Sequence, residues 1–336
     1  YAENPSYTEG FETEGITCAS CHVRDGTVYG PWGDTDAPHP TAKDPELRTE
    51  RVCTQCHQAE AKWPSRNLAC FFSTGEEWRA SGYAEREEYC QSCHMPQVER
   101  RLIGGESTPK RRTRRHWFGG SLIPKRPEHR GGLEPLREVY GSGAKIEVVG
   151  ASDLGGQVPR PEHGVLEAGA CPESAAGACT EVGVRLTNAW AGHRLPTGDP
   201  ERHIDLEVRA TDASGEVVAS AEQRIGSKYK WWPDIVLQYD NRPAPGEKVS
   251  FPVAVPRADL PVTLTVEARK YRMYREAYRH HELEGRYVRG RRFHRSRWRV
   301  DTDGRVQLEQ VTDDWGERER LLPAEKRRDQ ERDDAN

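Results

Sequence analysis

The sequence predicts a loop-rich N-terminal region with few short helices, followed by an all-β region. Three observations lead there. The 336 residues are only 35% hydrophobic and 31% charged, with a mean hydropathy of -0.90. Ordinary globular chains run nearer 45–50% apolar, so a large aliphatic core is excluded. The chain nevertheless carries 9 Trp, 12 Tyr and 6 Phe, more bulky rings than a disordered chain holds. The third observation is that alternation of apolar and polar residues over several short stretches is confined to the second half. The length leaves room for about two domains of roughly 150 residues. A formal charge of -4, from 50 basic and 54 acidic residues, is nearly balanced and points to no nucleic-acid partner. No run of about 18 apolar residues is present, so no transmembrane segment is expected.

The first element, residues 1–130, is built on three copies of one pattern. These are Cys18-Ala-Ser-Cys21-His22, Cys53-Thr-Gln-Cys56-His57 and Cys90-Gln-Ser-Cys93-His94. Cys-x-x-Cys-His is the attachment signature of c-type haem, in which two thiols bind the porphyrin and the adjoining His reaches the iron. At this composition chance supplies roughly 0.01 such pentapeptides per chain. A zinc site wants four ligands in one closed set, not three pairs each followed by His. A thioredoxin-like motif would occur once, beside a βαβ pattern. Three covalent haem c groups are therefore expected, and they would form the core that the aliphatic residues cannot. Between the motifs, Gly75–Cys90 has helical periodicity that sets Trp78, Tyr83 and Tyr89 on one face.

With these motifs the chain resembles the multihaem c-type cytochromes. The stretch from Glu77-Trp78 to Cys90-Gln-Ser-Cys93-His94-Met95-Pro96 is similar to their E-W-x-x-S…C-x-x-C-H-M-P segment. The resemblance implies attachment outside the cytoplasm, hence a periplasmic or extracellular protein with a removed signal peptide. A start at Tyr1 without an apolar leader agrees with that expectation.

Residues 131–177 read as a Gly/Pro/Arg-rich connector. Residues 178–300 carry the alternating stretches 181–186, 204–210, 216–221, 248–255 and 262–268, with turns at Asp212–Gly215 and Pro243–Gly246. Several short antiparallel strands suggest an Ig-like β-sandwich. Within this region Asn188–Gly198 resembles the N-x-x-x-G-H-x-x-P-T-G segment that some multihaem cytochromes carry in a C-terminal β-domain. Residues 301–336 read as a charged, solvated tail. Cys171 and Cys179 are expected to close a small disulfide loop, and Cys70 to be a buried thiol beside a haem.

Each motif His leaves one axial position. Met95 adjoins His94 and cannot swing to the opposite face of the same haem, and Met273 lies far off, so bis-histidine ligation is expected. His39, following Gly30-Pro-Trp-Gly33, and His116, in His116-Trp-Phe-Gly119, resemble the distal ligands of the family. His193, in the Asn188–Gly198 loop, is the third candidate. His129, His163 and His203 are reserves, His203 being read as a surface residue that opens a strand. His280, His281 and His294 are expected to be ordinary. The basic run Lys110–Arg115 is expected to pair haem propionates or an acidic surface.

The leading expectation is electron transfer, with other redox proteins or cytochromes as partners and self-assembly into a conductive filament as an extension. Nothing like a catalytic triad, P-loop or dinucleotide fingerprint occurs. The alternative is a haem oxidoreductase acting on a small nitrogen or sulfur compound, which needs an open iron position. A third expectation is a haem-bearing subunit that recruits a partner enzyme.

Overall fold

Each Cys-x-x-Cys-His folds as little more than one helical turn. The computed structural model describes residues 16–311, apart from 34, 64–67, 102–108, 117, 127, 129–140, 151–164, 167–177 and 232. Helix α1 is Cys18–His22, α2 is Arg51–His57 and α5 is Cys90–His94, with α3 at Thr74–Arg79 and α4 at Gly82–Glu85. In a helix, residues three and four apart share a face, so the two thiols and the imidazole of each motif project together. Every motif helix ends at its His, because the following Val23, Gln58 and Met95 turn to φ of -123°, -139° and -132°. Helices of five to seven residues are marginal alone, and neither α1 nor α2 buries a residue against protein.

Short ribbons join the helices. They comprise β1 (Val23–Arg24), β2 (Thr27–Gly30) and β3 (Thr41–Lys43), then β4 (Gln58–Trp63) with β5 (Leu68–Ser73), and β6 (Gln97–Arg100) with β7 (Arg111–Arg114). Cys70 lies in β5 opposite Ala61. The helical periodicity expected over Gly75–Cys90 is broken between α3 and α4, where the Ser81 hydroxyl caps the Tyr83 amide at 3.3 Å. Trp78 is buried, donates through Nε1 to the Glu88 carbonyl at 3.0 Å, and lies 5.8 Å from the Tyr89 ring.

The second half is mainly antiparallel sheet. One sheet has the order β14 (Lys248–Pro256), β10 (Cys179–Asn188), β8 (Ala144–Gly150). The other runs β13 (Val236–Asp240), β12 (Val217–Lys230), β11 (His203–Thr211), β15 (Val262–Tyr271), β16 (Gly290–Val300), β17 (Val306–Val311), with β9 (Val165–Leu166) also on β12. Helix α6 (Arg275–His280) follows β15. Alternation does what the sequence predicts: Val182, Val184 and Leu186 of β10 join Ile204, Leu206 and Val208 of β11 and Leu264 and Val266 of β15 in one buried apolar cluster.

Several readings are corrected. The expected connector contains β8, which pairs with β10 from Ala144↔Asn188 to Gly150↔Val182. The expected tail contains β17, paired with β16; the residues beyond 311 lie outside the described ones. The 216–221 strand continues to Lys230. His203, read as a surface residue, is 0% exposed. Its partner across the ladder is Tyr271, and that ring covers it. Strand β16 was hidden by its charge: Arg291, Arg292 and His294 are all buried in it. Glu267 on the neighbouring strand accounts for Arg292, pairing it at 2.7 Å, and also pairs Arg269 of its own strand at 3.1 Å and Arg295 at 3.6 Å. No helix among the described residues is long and apolar enough to cross a membrane.

Candidate haem-binding site

The three motifs stand close together. The Cys53 and Cys90 thiols are near enough to act on one another, and the Cys21 thiol is near enough to act on Cys53. The buried Gln91 donates to the Leu47 and Thr49 carbonyls at 3.2 and 2.6 Å, which ties α5 to the chain entering α2. Arg114 donates to the Gln91 and Met95 carbonyls at 2.6 and 3.0 Å. That arginine of the Lys110–Arg115 run therefore holds the end of a motif helix, where a cation also suits the helix dipole.

Two motif imidazoles face a second imidazole. The His22 and His116 rings are 6.0 Å apart, centre to centre, and tilted by 57°. The His94 and His193 rings are 6.3 Å apart and within 16° of parallel. Two metal–nitrogen bonds of about 2.0 Å plus the half-widths of two rings come to about 6 Å, so either pair has the span of bis-imidazole coordination. The outer nitrogens are already spoken for. His22 Nδ1 donates to the Tyr29 carbonyl at 2.8 Å, His94 Nδ1 to Gly119 at 2.5 Å and His193 Nδ1 to Arg194 at 2.9 Å. Such bonds fix the tautomer that leaves Nε2 free, the usual support of a metal-bound His. Burial holds His193 and His116 below the ordinary imidazole range, with the ring paired to each adding to it. The six motif cysteines are free. Thiols, tautomers and ring spacing together fit haem c. No group of three or more His, Cys, Asp or Glu is gathered as a metal-ion site among the described residues.

No protein-family model and no curated protein matches the chain. Among solved structures, a penta-heme cytochrome c552 from Thermochromatium tepidum is similar, with a TM-score of 0.48 and 17% identity. The match covers 83% of this chain and 60% of that one.

The Asn188–Gly198 loop reaches His94 because a polar network docks it. The buried Asn188 amide donates to the His193 and Pro243 carbonyls at 2.7 and 3.1 Å, and its oxygen accepts from the Ala191 amide at 3.2 Å. Gly192 allows a close approach: a Cβ there would stand 3.3 Å from the Tyr83 ring. Thr197 donates to Glu77 at 2.6 Å and shares a hydrogen bond of 2.9 Å with Thr74. Arg242 completes the network, pairing Glu77 at 2.9 Å and Asp240 at 2.7 Å. Asn188, Thr197 and His193 are legible in the loop motif. Glu77 and Arg242 gave no signal as partners, since 165 positions separate them in the sequence.

The remaining candidates fall elsewhere. His39 is exposed, with Nδ1 3.3 Å from the Pro40 carbonyl, and no described ring is set against it. His57 also has no described ring against it; desolvation lowers it, with Arg202 and His94 adding to the effect. His203 and His294 are buried in the sheet, His294 Nε2 lying 3.0 Å from the Ser296 hydroxyl. His280 and His281 contact each other. His129 and His163 lie outside the described residues. Cys179 is disulfide-bonded, while Cys171 lies outside the described residues.

Proposed function

We propose that the chain is a trihaem c-type cytochrome that transfers single electrons in the periplasm or outside the cell. The observation that carries this is the pairing of His22 with His116 and of His94 with His193 at the span of two axial ligands. Cys18 and Cys21, Cys53 and Cys56, and Cys90 and Cys93 each add their S–H across the two vinyl groups of one porphyrin, leaving thioethers. His22, His57 and His94 are the proximal ligands. His116 and His193 are distal ligands of the first and third haems, and His39 is retained for the second. Bound haem supplies one-electron chemistry. The chain supplies fixed tautomers, attachment points held close together, and a second half that we read as an Ig-like sandwich serving to dock His193.

The test is direct. Pyridine haemochrome against protein mass should give three haems per chain, and two or fewer would refute the reading. His116→Ala and His193→Ala should each turn one haem high-spin. Because the ring planes differ, His94–His193 should give a rhombic low-spin EPR signal and His22–His116 a more anisotropic one. An unchanged spectrum in either variant removes that ligand.

Partners on this reading are other redox proteins or cytochromes. Assembly into a conductive filament remains part of it, as a heterologous contact that does not close. The approach of His193 to His94 within one chain supports ligation in cis, so His193→Ala should leave the length of any filament unchanged. A second reading, a haem oxidoreductase for a small nitrogen or sulfur compound, is favoured by one observation: His57 faces no described imidazole, and the charge acting most strongly on it is Arg202.

A further inference from the structure

Two arginines meet where β11 and β15 end. The last pair of that ladder is His203 with Tyr271, so the next residues outward, Arg202 and Arg272, stand opposite one another. Like charges in that relation oppose folding. Neither guanidinium forms an ion pair with a carboxylate among the described residues; Asp199 acts on Arg202 only at longer range. Arg272 donates one amino group to the Ile123 carbonyl, and its buried Nε has no partner among the described residues. Burial lowers both guanidiniums, and Arg202 lowers Arg272 further.

The pair lies beside the second motif. The Arg202 guanidinium is laid on Gly198, where a Cβ would stand 3.3 Å from its Cζ. The preceding Thr197 is bonded to Thr74. Next to Thr74, Gly75 packs on α2 so closely that a Cβ would be 2.8 Å from the Thr54 methyl and 3.2 Å from Gln58. His57 closes that helix.

Two half-buried guanidiniums without an ion pair among the described residues call for an anion, and their planar forks suit a carboxylate. We infer that Arg202 and Arg272 form a carboxylate site, and that the carboxylate is a propionate of the haem carried by Cys53 and Cys56. This rests on the trihaem reading above. Positive charge beside a haem favours its reduced state, so the two arginines raise the potential of that haem alone.

The experiment is a spectroelectrochemical titration of the intact trihaem protein and its variants. In Arg202→Gln/Arg272→Gln one midpoint of three should fall by a tenfold change in its reduction equilibrium, about 59 mV for one electron. The double Arg→Lys variant, which keeps the charges, should restore most of it. The haem that moves should be the one lost when Cys53 and Cys56 are replaced by Ala. Arg202→Gln alone should give a smaller shift of the same sign, and it decides the matter if the double variant fails to hold haem. Three haems retained with no midpoint moved would overturn the assignment. So would a shift in the unaltered protein on adding inorganic phosphate that is absent from the double variant, since the site would then take free oxyanions. A haem count short of three refutes the trihaem reading, and this assignment with it.

Discussion

His203 is fully buried, and its ring stacks between Tyr271 and Tyr274 at 4.9 and 5.2 Å. Nδ1 lies 2.8 Å from the Glu201 carbonyl, while Nε2 has no hydrogen-bond partner among the described residues and sits 3.8 Å from Asp205. Burial pushes its pKa down to about 4, although Asp205 opposes the shift. The sign follows from linkage. Between about pH 6.5 and 4 the unfolded chain binds a proton there that the folded one refuses, so stability falls as pH falls. A drop of that size amounts to about 3 kcal/mol by pH 4. His203→Gln should flatten the slope of unfolding free energy over this window, as measured by denaturant titration at several pH values; an unchanged slope would assign the acid sensitivity to other groups. The residue type alone misled here. A histidine opening a strand looks solvated, and only its pairing with Tyr271 shows the ring that covers it. The motif histidines were legible for the opposite reason, since their chemistry is local to five residues.

At the level of elements, packing decides what alternation leaves open. Gly290 starts β16 opposite Tyr271, and a Cβ there would stand 2.1 Å from the Tyr271 ring and 2.8 Å from the Lys270 carbonyl. Glycine inside a strand often marks such an approach. Gly290→Ala should cost about 3 kcal/mol, an overpacking penalty at the upper end of its range, and should displace the Tyr271 ring from His203. Chemical denaturation gives the first and the near-ultraviolet signal of the tyrosines the second. A change below about 0.5 kcal/mol, the scale of surface substitutions, would mean the ring yields freely. Strands β10, β11, β14 and β15 were legible because their inward residues are Val, Ile, Leu and Phe. Strand β16 was not, because Arg291, Arg292 and His294 are buried among its covered positions, Arg292 paired with Glu267 of β15. The Glu267 carboxyl accordingly lies below the usual carboxylate range: desolvation by burial opposes that shift, and Arg292 and Arg269 outweigh it. A hydropathy pattern registers only the charge, whereas the fold registers the pair.

Across the whole molecule, one junction between the two halves is where the Asn188–Gly198 loop meets α3. Glu77 is the hinge of that contact, taking Thr197 from one side and Arg242 from the other. Its side chain is 6% exposed and that of Arg242 is 13%, so this ion pair is mostly withdrawn from water. Removing one partner from a buried pair costs more than removing both, because the survivor is left charged and desolvated. Arg242→Ala should therefore destabilise the protein by about 3 kcal/mol, while the double change Glu77→Gln/Arg242→Ala should recover part of the loss. Arg242 also donates to the Pro196 carbonyl at 3.3 Å, so its removal loosens the chain just after His193. On the proposed ligation, the third haem then becomes partly high-spin in Arg242→Ala and returns towards low-spin in the double variant. A double-mutant cycle read by both stability and EPR separates the alternatives. If the two changes simply add, and the third haem stays low-spin throughout, His193 is held by its own loop and the halves are not coupled through Glu77.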